Sequence, residues 1–182
     1  MTKQHHYRAT VQWTGNNGRG TSDYRSYERS HIIRVDGKQD IAGSSDPAFR
    51  GDKSRYNPEE LLLSSLSACH LLWYLHLCSE AGVIVTAYTD QATGTMAETE
   101  NGGGHFTEVT LHPAVTVEEP SMADKARELH KKARELCFIA NSVNFPVYHQ
   151  PTVDVRQKNS DQAQSPGRVG HGLNVQETKR KY

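Results

Sequence analysis

The chain has 182 residues, a length that suits one domain with a hydrophobic core of ordinary size. Its 21 Lys and Arg residues balance 21 Asp and Glu residues, so the formal net charge is zero, which favours neither nucleic acid nor an anionic membrane as a partner. The first residues lack the apolar run of a signal peptide, and there are only three cysteines. We therefore expect a cytoplasmic protein without structural disulfides.

Strands and turns are predicted before the first helix. The predicted strands cover residues 6–13, 22–35 and 38–42. Turn signals separate them, an Asn-Asn-Gly sequence at 16–18 and an Asp-Gly sequence at 36–37. Residues 43–56, which are rich in Gly, Ser, Asp and Arg, predict a loop.

A long buried helix is predicted from residue 57 to about residue 81. Asn57 is a good N-cap, Pro58 suits the first helical position, and the two glutamates that follow favour the positive end of the helix dipole. Gly82 ends the pattern. The segment is apolar on nearly all sides, which predicts a central helix covered on several sides. Its Ser and His residues argue against a membrane span.

A hairpin, a second helix and a last strand follow in the prediction. The predicted strands cover residues 83–97, 105–117 and 145–156. An Asn-Gly-Gly-Gly turn at 101–104 joins the first two. Ser121, with Asp124 three residues later, predicts the N-cap of a helix whose apolar spacing extends to residue 140. This order of elements predicts an α+β domain.

The composition changes near the end of the chain. Residues 158–182 are rich in Gln, Ser, Gly and Asn and poor in apolar side chains, so they predict a disordered polar tail. The folded domain is accordingly predicted over residues 1–157.

Two of the three cysteines form a candidate redox pair. Cys69 lies in the first predicted helix and Cys137 near the end of the second, so packing of the helices would bring the thiols within bridging distance. Cys78 lies half a turn round the helix from Cys69 and is interpreted as a core residue. Burial of every thiol as a small apolar group is the alternative. A reactive Cys69 needs a nearby cation, because it lies about 18 Å from the N-cap, beyond the helix dipole.

Metal binding is a competing interpretation of the first helix. The candidate zinc ligands are Cys69, His70, His76 and Cys78. They lack the close pairing at three or four residues that helical zinc motifs have, and Cys78 lies opposite Cys69. The remaining histidines are interpreted mostly as surface or capping groups. A serine hydrolase has no support, because no G-x-S-x-G motif is present.

Two short motifs carry a family resemblance. The first runs Asn57-Pro58-Glu59-Glu60-Leu61-Leu62 and continues at Ser67-Ala68-Cys69. The second is a cysteine near the end of the next long helix, Cys137. In these motifs, and in the order of its elements over about residues 6–156, the chain resembles the OsmC/Ohr family of osmotically inducible and organic-hydroperoxide-resistance proteins.

The resemblance implies antiparallel sheets around two long central helices, in an intertwined homodimer with two sites at the subunit interface. It also implies a thiol peroxidase that reduces organic hydroperoxides in preference to hydrogen peroxide. Cys69 would be the peroxidatic thiol and Cys137 the resolving thiol. An external dithiol, such as a dihydrolipoyl protein, would reduce the disulfide between them. No metal or organic cofactor is implied.

The resemblance assigns a role to two charged residues as well. Glu59 falls on the active-site Glu of the family, and Arg19 is the best positional match for its active-site Arg. The other candidates for that arginine are Arg25, Arg29, Arg50 and Arg55. Arg19 would supply the cation that Cys69 needs, and Glu59 would hold its guanidinium. Glu59 and Cys69 lie about 15 Å apart along one helix, so they would meet only across a dimer interface.

Two departures from the family pattern keep a second hypothesis open. Phe138 follows Cys137 where many relatives have Pro, and the loop over residues 43–56 is long and polar. The alternative is a dimeric protein of the same fold that binds a small molecule or senses redox state without catalysis.

Overall fold

The computed structural model describes residues 3–157. The predicted tail, residues 158–182, lies outside the described residues. The strands are β1 (Thr10–Trp13), β2 (His31–Arg34), β3 (Ile41–Gly43), β4 (Val85–Asp90), β5 (Thr93–Glu98), β6 (Gly104–Leu111), β7 (Pro113–Val117), β8 (Val147–His149) and β9 (Thr152–Val155). The helices are α1 (Pro58–Glu80) and α2 (Ala123–Leu136), with short 3-10 helices at Pro47–Phe49, Pro120–Met122 and Ala140–Ser142.

The strands form three sheets of three strands each. Their orders are β1-β2-β3, β4-β7-β9 and β5-β6-β8. The first sheet is antiparallel throughout, but β8 pairs with β6 and β9 pairs with β7 in parallel. The sheets therefore differ from the wholly antiparallel expectation. The reason is that α2 carries the chain back to the same end of the sheets, the crossover that parallel pairing requires.

The long hairpin that precedes α2 bends in its middle. Each of its two predicted strands divides in two, so β4 pairs with β7 and β5 pairs with β6. At the bend the backbone N–H of His112 donates to the Asp90 carboxylate at 2.7 Å instead of to a strand neighbour. Pro113, which pairs with Asp90, has no N–H to donate. One hairpin therefore contributes strands to two sheets.

The predicted start and end of α1 are confirmed. The Asn57 side chain accepts a hydrogen bond from the backbone N–H of Glu60 at 2.8 Å, and the Glu60 carboxylate accepts one from the N–H of Asn57 at 3.1 Å. This reciprocal capping box satisfies two N–H groups at the helix start. Gly82, at a φ of +70°, follows the last turn.

The predicted start of α2 is wrong. Ser121 lies inside the 3-10 helix Pro120–Met122, and α2 begins at Ala123 without a side-chain cap. Pro120 starts the turn one residue before the expected cap, because its ring fixes the φ angle that a helical turn needs. The helix also ends earlier than its apolar pattern, at Leu136, and Cys137 has extended backbone angles.

One stripe of α1 is buried within the chain. It consists of Leu66, His70, Tyr74 and Cys78, each four residues after the last. The helix was expected to be covered on several sides, but only 22% of its most apolar stretch is buried, and the Leu72 side chain is 67% exposed. By length and composition α1 is apolar enough to cross a membrane, a test that core helices of soluble proteins also pass. A second apolar surface is needed to cover it.

Replacement of Asn57 by Ala should lower the free energy of unfolding by about 1 kcal/mol, because the capping hydrogen bond at the start of α1 is lost. Chemical denaturation measures the change. Asn57→Ser is the matched control, since a hydroxyl can still accept the bond from Glu60. Equal destabilisation by both substitutions would contradict the capping role.

Candidate active site

The structure brings the thiols of Cys69 and Cys137 together. Cys69 lies on α1 and is half-buried, whereas Cys137 follows α2 and is only 1% exposed. Both are free thiols, and they are close enough for the Cys69 thiol to influence the pKa of Cys137. The predicted pair is therefore adjacent in space, although the residues are 68 positions apart in the sequence.

Packing of α1 on α2 holds this arrangement. The Tyr74 hydroxyl on α1 donates to the backbone carbonyl of Ala126 on α2 at 3.2 Å, and His70 lies within hydrogen-bond distance of His130 at 3.0 Å. Beyond the end of α2 the chain turns into the 3-10 helix Ala140–Ser142. There the Ala140 N–H points at the Cys137 sulfur at 3.5 Å, which fixes that side chain toward α1.

The two thiols differ in their chemistry. The pKa of Cys137 is raised to about 11, mainly by burial and in smaller part by the neighbouring Cys69 thiol. The N–H of Ala140 opposes this shift, because it stabilises a thiolate, but burial prevails. Cys137 is therefore a neutral, enclosed thiol at neutral pH. Cys69 is the thiol that a small molecule can reach from solvent.

An aromatic pair lies next to the thiols. Trp73 is one helical turn after Cys69, and its ring meets that of Phe138 edge-to-face with centroids 5.6 Å apart. Phe138 is 65% exposed, so it covers the neighbourhood of Cys137 without being buried itself. Trp73 also lines a shallow cleft of about 250 Å³ with Leu72 and His76. The surface near Cys69 is thus mainly apolar.

Glu59 lies far from the thiols of its own chain. Because α1 is unbroken, Glu59 and Cys69 are about 15 Å apart along its axis. The Oε2 atom of Glu59 is buried without a hydrogen-bond partner among residues 3–157. A buried carboxylate oxygen without a partner is unfavourable, so this atom requires a group from outside the described chain.

The candidate arginines do not reach Glu59 within residues 3–157. Arg19 is exposed in the turn after β1 and makes no ion pair there. Arg29 lies between the rings of Tyr24 and Tyr27 and donates to both of their carbonyls. Arg55 pairs with Asp52. The remaining candidates, Arg25 and Arg50, are exposed.

The four side chains of the zinc interpretation do not converge. Cys78 is buried in the core cluster beside Tyr74, and His76 pairs with Glu80 on the exposed face of α1. Among residues 3–157 no three His, Cys, Asp or Glu side chains are placed to hold a metal ion.

A buried histidine cluster was missed by the sequence analysis. His70 on α1, His130 on α2 and His149 at the end of β8 pack together, with ring centroids 5.3 Å apart for the first two and 4.3 Å apart for His70 and His149. Burial lowers the pKa of His70 to about 3 and those of His130 and His149 to about 4. The interpretation of the remaining histidines as surface or capping groups is wrong for His130 and His149. The position of His130 among the apolar residues of α2 was the signal.

Residues 51–150 match the family described as OsmC-like protein. The chain belongs to this family. An OsmC-like protein of unknown function from Vibrio cholerae is similar at 29% identity, covering 82% of this chain and 100% of that one, with a TM-score of 0.74. An organic hydroperoxide resistance protein from Elizabethkingia anophelis shares 22% identity over 86% of this chain and 100% of its own, with a TM-score of 0.62.

The fold of this OsmC-like protein recurs in further relatives. An organic hydroperoxide resistance protein OsmC from Legionella pneumophila matches with a TM-score of 0.59 and 19% identity, covering 84% of this chain and 100% of that one. No match was found among curated protein sequences. The OsmC/Ohr-like α+β fold expected from the two motifs is confirmed.

Alkylation should separate the two thiols. At pH 8 a thiol with a pKa near 11 is thiolate in only about one molecule in a thousand, so iodoacetamide should modify Cys69 well before Cys137. Peptide mass spectrometry locates the modified residue, and the buried Cys78 serves as an internal control. Equal rates at Cys69 and Cys137 would contradict the assignment.

The histidine cluster should make stability depend on pH. The folded pKa values of about 3 to 4 lie below the ordinary 6.5, so the unfolded chain binds more protons between these values. This contribution is fully present above about pH 6.5 and is lost as the pH falls toward 4. Denaturation at several pH values should show a smaller slope for His70→Gln than for the wild type. His105→Gln, at an exposed position on β6, should leave the slope unchanged.

Proposed function

We propose that this OsmC-like protein is a cysteine-based thiol peroxidase that reduces organic hydroperoxides. The observation that carries the proposal is the contact between an accessible thiol, Cys69, and a buried neutral thiol, Cys137. A pair of this kind suits a first thiol that meets the substrate and a second that resolves the product. The names of the relatives from Elizabethkingia and Legionella add support, since both refer to organic hydroperoxide resistance.

The reaction begins at Cys69. Its thiolate attacks the outer oxygen of the hydroperoxide, the O–O bond breaks, and the leaving alkoxide takes a proton to become an alcohol. Cys69 is left as a sulfenic acid. Cys137 then attacks this sulfur and loses its proton, the hydroxyl group leaves as water, and a Cys69–Cys137 disulfide forms. An external dithiol, for example a dihydrolipoyl group, reduces the disulfide and is itself oxidised.

In this proposal a second subunit supplies the Glu59 that holds the activating cation in place. Arg19 would lower the pKa of Cys69 and stabilise the leaving oxygen, and Glu59 would hold the guanidinium in a bidentate pair. Because Glu59 and Cys69 are separated along α1, the Glu59 that serves one Cys69 would belong to the partner chain of a homodimer. The partnerless Oε2 of Glu59 supports this arrangement.

The preference for organic substrates rests on the surroundings of Cys69. Trp73 and Phe138 provide an apolar surface beside the thiols, and it would bind the alkyl part of a hydroperoxide. Hydrogen peroxide gains nothing from such a surface, so it would be the weaker substrate. The scheme requires neither a metal nor an organic cofactor.

Turnover measurements with single substitutions test the proposal. With cumene hydroperoxide and dihydrolipoamide, Cys69→Ser should abolish consumption because the nucleophile is lost. Without dithiol, Cys137→Ser should consume one equivalent of hydroperoxide per chain and keep a sulfenic acid at Cys69, because no second thiol forms the disulfide. Cys78→Ser is the matched control at a thiol outside the pair and should retain turnover.

Two other outcomes would contradict the proposed peroxidase activity. Wild-type activity in Cys69→Ser would exclude the proposed nucleophile. Formation of the disulfide without turnover in the presence of dithiol would favour a redox sensor of the same fold.

The shared site makes a separate prediction. Cys69→Ser and Glu59→Gln should each be inactive as homodimers, whereas chains expressed together should regain activity. A mixed dimer keeps one site with both Cys69 and Glu59 intact, so random pairing should restore about a quarter of the wild-type rate. Coexpression of Cys69→Ser with Cys137→Ser is the control, since both thiols of a site belong to one chain. No recovery in the first mixture would contradict a site shared between subunits.

A further inference from the structure

A cationic cleft lies between α2 and the segment that links β8 to β9. Its volume is about 430 Å³, a size typical of sites for small molecules. The residues that line it include Arg127, His130, Lys131, Arg134, Tyr148 and His149. None of them belongs to the proposed thiol chemistry.

The charge of this cleft is positive. Arg127, Lys131 and Arg134 follow one another at spacings of four and three residues, which places them on one face of α2. No carboxylate lines the cleft. Asp124 pairs with Arg127 at 2.8 Å, but within residues 3–157 no carboxylate forms an ion pair with Lys131 or Arg134.

Two other cations of α2 form ion pairs with carboxylates on the same helix. Lys125 pairs with Glu128 at 3.1 Å, and Lys132 pairs with Glu135 at 3.1 Å. These pairs lie outside the cleft. The unpaired cations of the helix are therefore concentrated on the face that lines the cleft.

Buried imidazoles form the wall behind these cations. His130 is only 3% exposed. Its Nδ1 atom lies 3.0 Å from His70 Nε2, whereas its own Nε2 atom has no hydrogen-bond partner among residues 3–157. Burial, and after it the charge of Arg134, lowers the pKa of His149 to about 4, so this imidazole is neutral at pH 7. Neutral imidazoles can donate a hydrogen bond, whereas the neighbouring cations would repel a metal ion.

We propose that this cleft binds a small organic dianion through a phosphate or carboxylate group. The Arg134 guanidinium can hold two oxygens of such a group, and Lys131 adds a second positive charge without an ion pair among the described residues. Arg127 contributes less, because it pairs with Asp124 and donates to the Val153 carbonyl at 3.4 Å. A ligand oxygen, or a water held by it, would accept the proton of His130 Nε2. The half-exposed ring of Tyr148 offers an apolar surface to the carbon part of the ligand.

Calorimetry with the full chain tests the site. Phenyl phosphate and succinate, which are both dianions at pH 7.5, serve as the phosphate and carboxylate probes, and acetate serves as a monoanion. We expect saturable binding of one dianion per chain, weaker binding of acetate, and a loss of about tenfold or more in affinity for Arg134→Gln. Stronger binding of phenyl phosphate than of succinate would assign a phosphate ligand, and the reverse would assign a carboxylate.

Lys132→Gln is the matched control, because it removes the same charge from α2 outside the cleft. Its affinity should change by less than about twofold, since exposed charges at a distance are screened by salt. An equal loss in Lys132→Gln and Arg134→Gln would mean non-specific attraction and would overturn the proposal. The absence of saturable binding for both dianions would overturn it as well. Neither result depends on peroxidase activity.

Discussion

Incomplete burial of α1 is the constraint on which the rest of the structure depends. The helix is apolar on most of its circumference, yet one chain covers only the stripe from Leu66 to Cys78. Each large apolar side chain that gains full burial contributes about 1.5–3 kcal/mol, so exposed residues such as Leu72 and Leu75 favour association with a second apolar surface. The same helix separates Glu59 from Cys69. The uncovered surface and the distance between these residues are both consistent with the homodimer proposed above.

The contact between α1 and α2 sets the chemistry of the thiols. The neutral imidazoles of His70 and His130 sit between the helices, one residue after Cys69 and seven residues before Cys137. Their burial fixes how the helices pack and so places the two sulfur atoms side by side. Cys137 is buried and Cys69 is half-buried, so the same packing leaves the two thiols with different exposure.

Local signals in the sequence predict the parts of the fold that local forces determine. The capping box at Asn57 and the glycine at position 82 define α1, because both act within one turn of the helix ends. The bend of the hairpin was not predictable in this way. It depends on a hydrogen bond from the backbone of His112 to Asp90, which are 22 residues apart in the sequence.

Some residues of the candidate site could likewise be predicted from the sequence, and others could not. The thiol pair could be inferred from two motifs on adjacent helices, and the structure brings it together. The histidine cluster could not be inferred with the same ease, because it joins residues from α1, α2 and β8 that share no spacing in the sequence. The partner of the Glu59 Oε2 atom could not be inferred either, since no residue among 3–157 supplies it.

The thiol pair is the central claim, and intact mass combined with a free-thiol count tests it most directly. The reduced protein is treated with one equivalent of cumene hydroperoxide in the absence of dithiol. We expect the loss of two thiols and of two mass units per chain, with Cys78 still free and a peptide that links Cys69 to Cys137. Three unreacted thiols would contradict it and would leave the cysteines as core residues.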